Sequence, residues 1–157
     1  MPEVTEFFSI PAGQSKEDLY HKYFLDKDDS TAAQFTILLK SQDATTDPVP
    51  IGRIVLADII PGWKAEIWRI YIADPRLRGK GYGKQALLAM VHYCFRELAL
   101  QRLYLDFYSG NPAEFLYKKV GFVEEGVLRG NCRKDGILHD VHLMSMLRAE
   151  YEALYAD

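Results

Sequence analysis

The 157-residue chain has only two cysteines, Cys94 and Cys132. That is too few for a disulfide framework or a cysteine-based zinc site. No apolar run approaches the ~20 residues of a membrane span. The N-terminus, Met1-Pro2-Glu3-Val4-Thr5-Glu6, has no basic segment followed by an apolar one, so no secretory leader is expected. There is no basic excess either: 19 Lys and Arg against 22 Asp and Glu give a net charge of -3. This argues against a dedicated nucleic-acid binder. Repeats, low-complexity tracts and long linkers are missing. The expectation is one cytoplasmic domain, residues 1–157, with no membrane or nucleic-acid partner.

What is present suits a globular fold. Hydrophobic residues make up 48% and charged residues 26%, enough to bury a core. Patterning predicts a strand over 5–10, a helix over 15–26 and strands over 34–40, 51–60 and 66–72. Those last three, with short links, suggest an antiparallel meander. From Gly83 to Ala99 the period changes: Leu87, Met90, Val91, Cys94 and Leu98 form a helical stripe. A strand is predicted over 102–107, then a helix over 111–119 with Asn111 at its cap, Pro112 in its first turn and Glu114 three residues on. Two strands, 122–128 and 139–146, are predicted around a loop over 130–138, with a terminal helix over 147–155. The fold class is α/β: a mixed, mostly antiparallel central sheet flanked by helices.

Between the third strand of the meander and the long helix lies Arg78-Gly79-Lys80-Gly81-Tyr82-Gly83-Lys84. Alternating glycines let backbone N–H groups converge on an anion, and the helix that follows adds its positive end. Arg78, Lys80 and Lys84 add charge. The loop is suited to phosphate. A Walker A loop does not fit: only Lys80, Gly81 and Tyr82 separate Gly79 from Gly83-Lys84, and Gln85 stands where Ser or Thr would bind magnesium. A dinucleotide fingerprint does not fit the glycine spacing. Asp106, at the end of the next strand, leaves a nucleotide-binding oxidoreductase as an alternative. The plainest alternative is a glycine-rich turn in solvent.

These residues resemble the GCN5-related N-acetyltransferase superfamily. Its signature of Arg or Gln, two residues, Gly, one residue, Gly or Ala is matched by residues 78–83. A second block, Asn111-Pro112-Ala113-Glu114-Phe115-Leu116-Tyr117-Lys118-Lys119-Val120-Gly121-Phe122, is similar to the family's Asn…Ala…Leu-Tyr-x-Lys-x-Gly-Phe. The likeness runs from about Ile51 to Met146. The tail is closest in flavour to the polyamine, ribosomal-protein and small-amine branch. The N-terminal third, which commonly shapes the acceptor site, departs from the family: one predicted helix stands where two are usual.

The resemblance implies transfer of an acetyl group from acetyl-CoA to a primary amine of a small molecule or of a protein N-terminus or lysine, without metal. It implies Tyr117 as the acid that protonates the departing thiolate and Glu66 as a base acting directly or through water. The alternatives are a packed core tyrosine and a solvent-exposed strand-end glutamate, and Asp140 is a competing acid. Cofactor contacts fall to Ile70, Tyr71 and Ile72, whose backbone would pair with the pantetheine, to residues 78–84 (Arg78, Gly79, Lys80, Gly81, Tyr82, Gly83 and Lys84), and to Asn111. Trp68, Tyr71 and Tyr108 either line an acceptor pocket or belong to the core. His139 and His142 lie in a strand, where that spacing sends them to opposite faces, so no metal is expected. A non-catalytic acyl-CoA sensor of the same fold is the competing reading, and a homodimer is left open.

Overall fold

The computed structural model describes residues 3–5, 31–40 and 47–156. The helix predicted over 15–26 lies outside them, as does most of the strand predicted over 5–10. Among the described residues seven strands form one sheet: β1 (Glu3–Thr5), β2 (Ala33–Lys40), β3 (Val49–Ile60), β4 (Lys64–Ile72), β5 (Arg102–Tyr108), β6 (Val123–Lys134) and β7 (Ile137–Leu147). The spatial order is β1-β2-β3-β4-β5-β7-β6. Every neighbouring pair is antiparallel except β4 and β5. The meander and the mixed sheet are as the patterning implies.

Three α-helices are described: α1 (Tyr82–Arg96), α2 (Ala113–Val120) and α3 (Arg148–Tyr155). α1 is the crossover that a parallel β4–β5 pair requires. Its stripe of Ala86, Leu87, Met90, Val91, Cys94 and Phe95 is buried, and it packs in one core with Ile54, Leu56, Leu103, Leu105 and Met144. The side chain of Asn111 accepts the Ala113 N–H at 3.0 Å, so it satisfies a first-turn donor from one residue further out than expected. Gly121, at φ 119°, closes α2 by donating to the carbonyls of Lys118 and Tyr117. α3 is tied to α1: Tyr151 stacks on Phe95 at 4.5 Å, and Arg148 donates to the Phe95 carbonyl at 2.7 Å.

One expectation is corrected. The segment 130–138, read as a loop, is mostly hairpin: β6 runs to Lys134 and β7 starts at Ile137, with the turn at Asp135 and Gly136. Nearly all of β6 is exposed, so its sequence carries no alternation of buried and exposed positions to betray a strand.

Two irregularities prepare the site. β4 and β5 pair only from Lys64–Arg102 to Ile67–Leu105. Immediately beyond, β4 carries an extra residue: Val55 of β3 faces Arg69, yet Leu56 faces Ile67. Trp68 is therefore bulged, and a bulge bends its strand. β4 turns away from β5 and leaves an opening between them. A second bulge lies in β3 at Asp58, a non-glycine residue at φ 50°, one position past the Ala57 that pairs with Glu66.

Candidate active site

The opening is lined on one side by Ile70, Tyr71 and Ile72 of β4 and on the other by Pro112, Ala113, Leu116 and Tyr117 of α2. Leu77, Arg78, Gly79 and Gly83 close one end, and the volume is about 600 Å³. The walls are thus apolar, with a stretch of β4 that pairs with β3 but not with β5 on one side and a single phenol on the other.

The glycine loop enters α1 through residues that need left-handed backbone. Gly79 sits at φ 77° and Gly81 at φ 86°, and a Cβ at either would meet nothing within 4 Å. The glycines are required by conformation, and the space they leave is open to a ligand. The first N–H committed within the helix is that of Gln85, which donates to the Gly81 carbonyl at 3.1 Å. The N–H groups of Tyr82, Gly83 and Lys84 precede it and point out of the helix end, as an anion site requires. Arg78 folds back so that its Nε donates to the carbonyl of Ile72 at 3.1 Å, pinning the loop to the end of β4.

Of the residues expected from sequence, Tyr117, Ile70, Tyr71, Ile72, Arg78, Gly79 and Gly83 come together around this cleft. Lys80, Gly81, Tyr82 and Lys84 belong to the loop but not to the lining. The side chain of Tyr82 is buried in the core, which leaves its backbone as the part of the residue on the loop. Asn111 caps α2 next to the lining residue Pro112. Glu66 lies on the paired part of β4, outside the lining, beside Tyr104 of β5 in the register. Trp68 is 54% exposed and so is not core; neither it nor Tyr108 lines the cleft. Asp140 lies outside the lining and accepts the Gly130 N–H at 2.8 Å.

Tyr117 is 6% exposed, and its ring packs on Phe107 at 5.6 Å and on Phe122 at 6.3 Å. Burial raises its phenol pKa, and the charge of Asp106 raises it further, so it holds its proton more firmly than a free tyrosine. Glu66 is raised too, first by burial and then by the charges of Asp106 and Asp58. Asp106, one residue past the last β4–β5 rung, is raised by burial. Its charge therefore acts on both groups. The sequence reading gave Asp106 no part in this site, because only the register brings it to the point where the strands separate. Among the described residues no group of three metal-ligating side chains gathers, and no helix is long and apolar enough to cross a membrane.

Residues 1–122 match the model of the acetyltransferase (GNAT) family. A spermidine N(1)-acetyltransferase of Vibrio cholerae is 32% identical over 136 residues, covering 86% of this chain and 73% of that protein. A probable N-acetyltransferase of Bacillus subtilis, YjcK, is 29% identical over 153 residues, covering 97% and 80%. The crystal structure of spermidine N-acetyltransferase from Vibrio cholerae in complex with CoA and spermine is similar with a TM-score of 0.68 and 31% identity, covering 88% of this chain and 78% of that one.

Proposed function

The chain belongs to the acetyltransferase (GNAT) family and is an acetyl-CoA-dependent N-acetyltransferase, and from that premise we propose that its acceptor is a cationic primary amine, acetylated by direct attack with Tyr117 as the acid. The observation that carries this reading is the buried phenol of Tyr117 on the wall of the opening between β4 and β5. A thioester reaching this phenol from the glycine loop would follow the path Arg78, Ile72, Ile70. Its pantetheine amides would take the β4 backbone that β5 leaves unpaired, as an added strand segment does. The pyrophosphate would rest on the N–H groups at the start of α1, with Arg78, Lys80 and Lys84 supplying charge.

The reaction makes three demands: a neutral amine, a stabilised oxyanion and a proton for the leaving thiolate. Tyr117 keeps its proton through the neutral range and gives it to the sulfur. Glu66, with its raised pKa, is the base that takes the ammonium proton, directly or through water. The carboxylates of Asp58 and Asp106, whose charges raise the pKa of Glu66, favour, together with Glu66 itself, an acceptor that arrives positively charged. The spermidine acetyltransferase among the relatives supports an amine of that kind. A screen of polyamines, small amines and peptides, read by release of free CoA thiol, tests the reading. Turnover with at least one cationic amine is expected. CoA binding with no turnover on any amine would leave a sensor instead.

A further inference from the structure

Behind α2, on the side of the sheet toward β7 and β6, three side chains stand in line. The hydroxyl of Ser109 lies 2.8 Å from Nε2 of His142. Nδ1 of the same ring lies 2.7 Å from Oε1 of Glu124. A carboxylate can only accept, so Nδ1 carries a proton, and in the neutral ring Nε2 presents its lone pair to the serine. The ring is fixed face to face on Phe107, 5.2 Å between centroids and 6° from parallel. None of the three residues lines the cleft of Tyr117.

The fold explains the alignment. His142 of β7 pairs with Phe107 of β5. Glu124 of β6 pairs with Met144, two residues along β7 and so on the face of His142. Ser109 is the first residue after β5, on the turn into α2, held by its own N–H to the Asp140 carbonyl at 2.9 Å. A tie between β6 and β7 needs only the carboxylate and the imidazole. The third member is the hydroxyl of Ser109, a partly exposed residue on a strand-to-helix turn. The residue after it, Gly110, has no side chain to block approach, and among the described residues its N–H enters no backbone–backbone turn hydrogen bond.

We propose that Ser109, His142 and Glu124 form a second acyl-transfer centre, in which Ser109 is a nucleophile toward small activated esters or thioesters. Ser109 Oγ bonds to the acyl carbon while its proton passes to Nε2 of His142. The bond from that carbon to the leaving alkoxide or thiolate breaks, and the leaving group takes the proton from Nε2. Glu124 accepts from Nδ1 throughout and stabilises the transient imidazolium. The Gly110 N–H, next after the nucleophile, is placed to donate to the oxyanion. Water then attacks the Ser109 ester by the same route in reverse, releasing the acid and restoring the hydroxyl. The centre needs neither CoA nor an amine, and so its test is independent of the amine acetylation.

The full-length protein, without CoA, is treated with a fluorophosphonate probe and digested, and the adduct is located by mass spectrometry. A single adduct on the Ser109 peptide is expected, with a matching hydrolysis of p-nitrophenyl acetate. His142→Ala should slow labelling at least ~100-fold, and Glu124→Gln should slow it less. CoA binding by calorimetry checks that each variant is folded. If His142→Ala does not fold, the adduct position in the unmodified chain decides the matter. No adduct, an adduct elsewhere, or wild-type labelling of a folded His142→Ala would overturn the proposal.

Discussion

A Cβ on Gly52 would lie 2.2 Å from the carbonyl oxygen of Tyr71, closer than any side chain can approach a backbone oxygen. Gly52 of β3 pairs with Ile72 of β4, and Tyr71 and Ile72 line the cleft. The shape of this wall of the cleft therefore depends on a residue outside its lining. Gly52→Ala should push this wall inward and lower CoA affinity by roughly tenfold or more, measured by calorimetry, together with some loss of stability. Ile54→Ala on the same strand removes a fully buried side chain and should cost ~2–5 kcal/mol of stability. Its CoA affinity should hold within about twofold while it remains folded. Equal losses of affinity in both variants would make Gly52 a stability residue only.

The glycine loop gives the second prediction. Gly81→Glu places a carboxylate where an incoming phosphate would meet the helix N–H groups, and it forces a residue with a Cβ into φ 86°. CoA binding should be lost with the sheet intact by circular dichroism. Unchanged affinity would remove the loop from the cofactor site.

The sequence made some of this architecture legible for local reasons. The loop announces itself because glycine is the residue that tolerates φ 77° and φ 86°. α1 does so because a buried stripe repeats at helical spacing from Ala86 to Phe95. Tyr117 comes with its helix start and the Gly121 stop. The opening between β4 and β5 is not local. It depends on the Trp68 bulge, which appears only when β4 is laid against β3, since Trp68 lies between Ile67 and Arg69 as any strand residue would. The influence of Asp106 on Glu66 and Tyr117 is hidden for a related reason: it follows from standing next to the last β4–β5 rung, a fact of register. The hairpin through Asp135 escaped notice because exposed residues on both faces leave no pattern.

Glu66 gives a prediction with two signs. Burial and the charges of Asp106 and Asp58 raise its pKa, so its charge is disfavoured in the folded state. Below the ordinary carboxyl range both folded and unfolded chains hold the proton and nothing is lost. As the pH rises through the raised value, the folded state comes to carry an unwelcome charge and stability falls. Glu66→Gln should therefore raise Tm near neutral pH and leave it little changed near pH 4. Turnover should fall at the same time, most above the acid limb, where wild-type Glu66 is ionised and the amine still carries its proton. Lower Tm at neutral pH would show that the carboxylate makes favourable contacts that outweigh its repulsion.

Asp106 is tested through its charge. Asp106→Asn removes a negative neighbour of both Glu66 and Tyr117, whose pKa values that charge raises. Both limbs of the pH–rate profile should move to lower pH: the acid limb with Glu66, the alkaline limb with Tyr117. A fall in rate with neither limb displaced would make Asp106 an acceptor contact without influence on the two groups.

Tyr117→Phe is the sharpest test of the chemistry. Phenylalanine preserves the ring and its packing on Phe107 and Phe122 and deletes only the O–H. The hydroxyl of a residue 6% exposed is wanted either for structure or for the cleft it lines. If it protonates the departing sulfur, turnover on acetyl-CoA should fall by ~100-fold or more. CoA affinity should change by no more than about tenfold, since one hydrogen bond contributes only ~0.5–1.5 kcal/mol net. The defect should shrink with an acetyl donor built on an aromatic thiol, because that group leaves without needing a proton. Burial of the phenol also predicts that the wild-type rate shows no loss of the acid until above the ordinary tyrosine range near ~10. Full activity of the variant on acetyl-CoA would assign the proton to water. A variant equally slow with both donors would make the hydroxyl a positioning group for the thioester.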